Sequence, residues 1–201
     1  MIRILIAEDQ VMVREAIASL LDLEDDFEVV AQVGRGDEVL GAAATATPDV
    51  ALLDIEMPGA SGLDVLTALA ARQPRCRILI LTTFGRPGYL RRAMSGGAAG
   101  FLLKDAPAAE LSSAIRRAIA GERIVDPGLA AAALSDGDSP LTAREHEVLA
   151  ASREHATIAQ LAATLHLSHG TTRNHLSTIM GKLGASSRNQ ALRIAEEKGW
   201  L

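Results

Sequence analysis

Cysteine is nearly absent: Cys76 stands alone in 201 residues, which excludes an intramolecular disulfide and suits a reducing compartment. Long uncharged apolar runs are missing too, so no segment reads as a membrane span. Arg3, Glu8 and Asp9 interrupt the first apolar stretch, and no secretory leader is expected there. There is no internal repeat. Positive charge is in deficit: 20 Lys+Arg against 25 Asp+Glu leave a net of -5, which taken whole argues against nucleic-acid binding. The average conceals a division. Residues 1–138 carry 13 basic against 20 acidic side chains, whereas residues 139–201 carry 7 against 5 and all five histidines. Two tasks are implied, in a cytoplasmic chain long enough for one domain and a smaller second one.

What is present first is an alternation. Short apolar runs at residues 2–7, 27–33, 49–54, 77–82 and 100–104 predict strands. Between and after them, residues 11–23, 37–45, 63–71, 89–95 and 108–120 predict helices, with a loop at 83–88. Strictly alternating elements of this kind predict an α/β fold with a doubly wound, five-stranded parallel sheet. Residues 122–139, rich in Gly, Ala, Asp, Ser and Pro, read as a linker with at most a helical turn at 129–134. Beyond it only helices are expected. Thr142 and Glu145 form a capping-box pattern, Ile158 to Leu165 is a short second helix, Ser168 caps a third reaching Leu183, and residues 187–198 supply a fourth. This smaller all-α domain contains a helix-turn-helix pattern.

The sharpest chemical signal is Leu52-Leu53-Asp54-Ile55-Glu56-Met57-Pro58-Gly59, an apolar run that ends in a carboxylate and then a Pro-Gly turn. Asp54 is thereby placed at a strand's carboxyl edge, where ligands sit in open parallel sheets. The first strand ends similarly in Glu8-Asp9, the fourth in Thr82 and the fifth in Lys104. Clustered carboxylates repel one another unless a cation joins them. Mg²⁺ is the economical choice, because it is held by one or two carboxylates together with phosphate oxygens. Asp54 is then the candidate nucleophile that accepts a phosphoryl group, with the Lys104 ammonium and Thr82 hydroxyl on its oxygens. Taken singly, a strand-end Asp is more often a turn former, Phe101 a core aromatic and Cys76 an inert thiol. The weight rests on the set.

Residues 1–121 resemble the receiver domain of bacterial two-component response regulators, which implies a flavodoxin-like sheet of strand order 2-1-3-4-5. The resemblance rests on Glu8-Asp9, on Asp54 followed by Met57-Pro58-Gly59 and Gly62, and on Thr82, Phe101 and Lys104. It implies phosphorylation of Asp54 by a sensor histidine kinase and a metal shell of Glu8, Asp9, Asp54 and the Glu56 backbone carbonyl. It also implies a switch in which Thr82 moves toward the phosphoryl group and Phe101 swings inward. Exposed faces of residues 11–23 and 108–120 are candidate contacts for a homodimer formed on phosphorylation.

The third helix of the C-terminal part is rich in donors, with Arg suited to guanine and Asn to adenine in a major groove. Leu176, Ile179, Met180 and Leu183 recur at helical spacing and would seat it on the bundle. Residues 140–201 resemble the LuxR-type helix-turn-helix domain of the NarL/FixJ class. Leu141-Thr142-Ala143-Arg144-Glu145, Leu161-Ala162, Leu167-Ser168, Gly170-Thr171, Arg173-Asn174-His175 and Lys182-Leu183-Gly184 carry that resemblance. It implies double-stranded DNA as partner, and the candidate contacts are Thr157, Ser168, Thr171, Thr172, Arg173, Asn174, Ser177 and Lys182. The chain departs from the usual pattern at His155, Thr157-Ile158, Gln160-Leu161 and Thr172. The last helix would serve dimer contacts on DNA. Leu23-Glu24-Asp25-Asp26, Thr82-Thr83-Phe84 with Arg86-Pro87-Gly88-Tyr89, and Glu197-Lys198-Gly199-Trp200 resemble the subgroup regulating fatty-acid desaturase expression in Gram-positive bacteria.

The expected function is a phosphorylation-activated DNA-binding transcriptional regulator, not an enzyme. One rival is a DNA-binding protein whose receiver is a phosphate-independent interaction module. Another is a Mg²⁺ phosphotransferase of the haloacid-dehalogenase type, which wants a second Asp where this chain has Glu56. A zinc site on His155, His166, His169 and His175 is disfavoured, since no cysteine joins them.

Overall fold

A computed structural model describes residues 1–83, 87–135, 139–155, 157–198 and 200–201. Residues 84–86 of the expected loop, 136–138 of the expected linker and Gly199 of the subgroup signature lie outside the described residues. Two compact units divide the chain, the first holding most of residues 1–130 and the second residues 131–201.

The first unit is a parallel sheet of order β2-β1-β3-β4-β5-β6. Its strands are β1 (Ile2–Ala7), β2 (Phe27–Val33), β3 (Val50–Asp54), β4 (Arg77–Thr82), β5 (Gly100–Leu103) and β6 (Ile124–Val125). Helices α1 (Val11–Leu21), α2 (Val39–Ala46), α3 (Gly62–Arg72), α4 (Pro87–Ser95) and α5 (Ala108–Ile119) alternate with them. Pleating sends alternate side chains to opposite faces, and both sets are buried, so the central strands are apolar nearly throughout. Ile4, Ile6, Val50, Leu52, Leu79 and Leu81 pack with Ile17 and Leu21 of α1 and Ile115 and Ala118 of α5. Leu5, Ala51, Leu53, Ile78 and Ile80 fill the other face and are equally enclosed.

The doubly wound sheet is as expected but has six strands. Ile124 and Val125, inside the expected linker, pair with Gly100 and Phe101. A two-residue strand leaves no periodic signature, which is why pattern alone did not reveal it. The same stretch also forms α6 (Pro127–Ser135) rather than a single turn. Pro127 occupies the first helical position, the carboxylate of Asp126 accepts the Leu129 N–H at 2.9 Å, and an alanine-rich run follows.

The second unit contains α7 (Ala143–Ala151), α8 (Ile158–Thr164), α9 (His169–Leu183) and α10 (Arg188–Glu197). Both halves of the Thr142/Glu145 capping box are formed, and Thr157/Gln160 forms a second one at α8. Ser168 caps α9, and Gly184 ends it in the left-handed conformation at φ 63°. Val148, Leu149, Leu161, Leu176, Ile179, Ala191 and Ala195 are the core. Among the described residues no helix is long and apolar enough to cross a membrane.

Candidate functional site

Strand register assembles the acidic site. Ala7, Leu53, Ile80 and Phe101 lie in one row across four neighbouring strands, so Glu8 and Asp54 follow side by side in the next row. Thr82 ends β4 one position farther toward the carboxyl edge, and its carbonyl accepts the Lys104 N–H at 2.8 Å. Separate strand ends thus deliver side chains that are distant in sequence to one place.

The charges close on each other. Lys104 Nζ stands 2.6 Å from Glu8 Oε2 and 3.0 Å from Asp54 Oδ2. Ligand oxygens of Glu8, Asp9 and Asp54 all lie within 4.8 Å of one another. Glu8 is only 1 % exposed; burial pushes its carboxyl above the usual range, the Lys104 hydrogen bond draws it back, and the Asp54 charge adds to the rise. Burial alone would lower the Lys104 ammonium, but its hydrogen bonds to Glu8 and Asp54 outweigh that and raise it. Asp9 is exposed, so the cluster opens to solvent on its side. Three hard oxygen donors against one cation leave surplus negative charge. That donor set fits a divalent ion such as Mg²⁺.

The loop after Asp54 is held tightly. The Gly62 N–H donates to the Ile55 carbonyl at 3.0 Å, and a Cβ on Gly62 would stand 2.0 Å from the Asp54 carbonyl oxygen. Glycine is obligatory there on space alone. Glu56, in this loop, has an exposed side chain. Thr82 is 2 % exposed, and Phe101 is wholly enclosed, one row below the acids. Cys76 is buried, and burial pushes its thiol up to about 12, so it carries no nucleophilic role at neutral pH.

On α9, Leu176 and Ile179 face the core with Met180 and Leu183 packed beside them, as the spacing required. Thr171, Arg173, Asn174 and Ser177 are exposed, as are the capping residues Thr157 and Ser168. One candidate DNA contact, Thr172, is corrected, and a second, Lys182, is paired within the protein. Thr172 is fully buried, and its hydroxyl donates to the Ser168 carbonyl at 3.0 Å, so it faces the bundle. Position 172 lies four before Leu176 and seven before Ile179, a spacing that marks the packed stripe. Lys182 reaches back to α7, its ammonium 2.7 Å from Glu145 Oε2. The residue itself is exposed. Sequence reasoning also missed Arg14, whose guanidinium donates to the Glu8 backbone carbonyl. A contact between side chain and backbone across two elements leaves no local pattern.

Known proteins share both units. Residues 4–116 match the family described as response regulator receiver domain, and residues 139–195 match the luxR family of bacterial regulatory proteins. The chain is 46% identical to the transcriptional regulatory protein YvfU of Bacillus subtilis and 44% identical to DesR of the same organism, covering 100% of both chains in each case. It is also similar to the crystal structure of response regulator ChrA of a heme-sensing two-component system. That match has 35% identity and a TM-score of 0.59, and covers 100% of this chain and 98% of that one.

Proposed function

Because the chain belongs to the response regulators, joining a receiver domain to a luxR-family DNA-binding domain, we propose that phosphorylation of Asp54 by a sensor histidine kinase controls its binding to double-stranded DNA. The single observation that carries this reading is the convergence of Glu8, Asp9, Asp54 and Lys104 at the strand ends.

Asp54 attacks the phosphorus of the donor; the new bond joins its carboxylate oxygen to phosphorus while the bond to the donor's leaving nitrogen or oxygen breaks. Glu8, Asp9, Asp54 and the Glu56 carbonyl would hold Mg²⁺, which supplies positive charge against the phosphoryl oxygens. Lys104 exchanges a carboxylate oxygen for a phosphoryl oxygen without leaving the site. Thr82 offers its hydroxyl to the same group, and Phe101 supplies the packed switch below it. A new dianion only has to reweight two conformations a few kcal/mol apart, and linked binding of two copies then adds affinity for paired half-sites.

Exposed apolar side chains on α1 and α5 support docking of a second copy there. Val11, Met12 and Leu20 on α1, Leu23 after it and Ile119 on α5 are exposed large apolar side chains. Between α1 and α5 lies an apolar groove of about 320 Å³ lined by residues such as Met12, Ala16 and Leu111. On α9, Arg173 and Asn174 would read base edges while Thr171, Ser177 and the cap hydroxyls of Thr157 and Ser168 hold phosphates.

The deciding experiment treats wild type and Asp54→Ala with acetyl phosphate and Mg²⁺, then measures intact mass and binding to an operator selected from random DNA. One labile phosphoryl group and tighter binding are expected for wild type alone. Equal binding by both proteins, treated or untreated, would favour a phosphate-independent module, and sustained release of product from a small phosphorylated substrate would favour a phosphotransferase.

A further inference from the structure

The turn after β2, Gly34-Arg35-Gly36-Asp37, contributes no residue to the acidic site, yet it touches both loops that do. On one side, the Glu8 N–H donates to the Val33 carbonyl at 3.1 Å, and Arg14 holds the Glu8 carbonyl. A Cβ on Gly34 would stand 3.2 Å from Arg14 Nη1 and 3.9 Å from the Glu8 carbonyl oxygen, so the missing side chain leaves room for that guanidinium. On the other side, the Gly36 N–H donates to the Pro58 carbonyl at 3.0 Å, and a Cβ on Gly36 would stand 1.9 Å from the Ala60 carbonyl oxygen. Asp37, gripped by Arg35 at 2.9 and 2.8 Å, fills the space a Cβ on Gly59 would need, 2.4 Å from its Cγ.

We propose that this turn, together with Arg14 of α1 packed against it, is a positioning element that fixes the separation between the Glu8-Asp9 loop and the loop carrying Glu56, with Gly36 and Arg14 as the positioning residues. The inference rests on the reading of the acidic site as a Mg²⁺ and phosphoryl site. Mg²⁺ demands near-ideal octahedral geometry at about 2.0–2.1 Å, so ligand loops tolerate little relative displacement. Any side chain at Gly36 must drive the Ala60 backbone away by roughly 1 Å, since real Cβ contacts do not fall below about 3.0 Å. The fold has other anchors for these loops; the metal geometry has no such reserve. Arg14 acts from α1, fixing the Glu8 backbone and so the direction of two carboxylates.

The test compares full-length wild type, Gly36→Ala, Arg14→Met, Arg14→Lys and the control Gly41→Ala, whose added Cβ meets nothing within 4 Å. Mg²⁺ affinity is measured by calorimetry without any phosphodonor, thermal unfolding checks the fold, and phosphorylation by acetyl phosphate is followed across Mg²⁺ concentrations. Gly36→Ala is expected to bind Mg²⁺ at least about tenfold more weakly, with a phosphorylation rate that recovers at high Mg²⁺. Gly41→Ala should match wild type, and Arg14→Lys should regain part of what Arg14→Met loses. A folded Gly36→Ala with wild-type Mg²⁺ affinity overturns the proposal; should that variant not fold, an unchanged affinity in Arg14→Met overturns it instead. A wild-type chain that binds no Mg²⁺ overturns the functional reading as well, whereas equal binding by wild type and variants overturns the positioning role alone.

Discussion

Lys182 Nζ lies 2.7 Å from Glu145 Oε2 and so ties the last turn of α9 to the first turn of α7. The Lys182 hydrogen bond first, and the Thr142 backbone N–H next, hold the Glu145 carboxyl down at about 2. A depressed carboxyl contributes its stability above the ordinary value of 4.5 and loses it as pH falls toward about 2. Lys182→Met should therefore cost on the order of 1–2 kcal/mol at pH 7, kept modest because the ammonium is partly solvated. Urea unfolding should show that difference shrinking between pH 4.5 and pH 3. The salt slope of DNA binding should stay unchanged; a slope smaller by about one would place this ammonium on a phosphate instead.

Thr172 and Arg173 are adjacent in sequence and face opposite ways, one wholly buried and the other exposed. Thr172→Val should leave operator binding within about twofold, because the buried hydroxyl donates to the Ser168 carbonyl at the cap of its own helix. Arg173→Ala should weaken binding to the selected operator by about 1–3 kcal/mol and relax the base preference at one position. Fluorescence anisotropy with matched and mismatched duplexes distinguishes the two outcomes. A loss of specificity in Thr172→Val would return that residue to the DNA-facing surface.

Much of this was legible because the relevant signals are local. Apolar runs located the long strands, and the carboxylate ending each of two of them located Glu8, Asp9 and Asp54. The Thr142/Glu145 capping box marked the start of α7, the Leu176–Ile179 spacing marked the packed face of α9, and that same spacing, followed one turn earlier, marks Thr172 as buried. What stayed hidden is non-local or short. The strand Ile124–Val125 is too brief to show a period, and the Lys182–Glu145 pair depends on how two helices pack. Arg14 and Gly36 act through backbone carbonyls that carry no residue identity, so the support beneath the acids could be seen only in three dimensions.

Removing the Lys104 ammonium from beside the buried acids tests the electrostatics directly. Lys104→Met leaves Glu8 and Asp54, 1 % and 4 % exposed, facing each other without it. Breaking such a pair costs about 3 kcal/mol when the remaining charge cannot escape to water. Glu8, already raised, has a route of relief: it takes up a proton in the folded state. A group with a raised folded value gives its stability at low pH and loses it as pH climbs through that value, so the deficit of the variant should grow from pH 5 to pH 8. Denaturant unfolding at both pH values measures this. Added Mg²⁺ should narrow the deficit at pH 8, and phosphorylation by acetyl phosphate should fall by at least about a hundredfold.

Thr47 and His166 are the described non-glycine residues with positive φ, at 43° and 53°. Thr47 ends α2 in the left-handed conformation, which brings Cβ too close to the following carbonyl and costs about 1–2 kcal/mol for an ordinary residue. Its branched Cβ makes the crowding worse. Thr47→Gly should raise the stability of the first unit by about 1 kcal/mol, less than the full relief because glycine also loosens the unfolded chain. Thr47→Asn should give roughly half of that. Thr47 precedes the amino end of β3, opposite the carboxyl edge that carries Asp54, so neither variant should change Mg²⁺ affinity or phosphorylation rate. Unchanged stability in Thr47→Gly would mean that the left-handed turn is not strained there, and chemical denaturation of the three proteins side by side decides it.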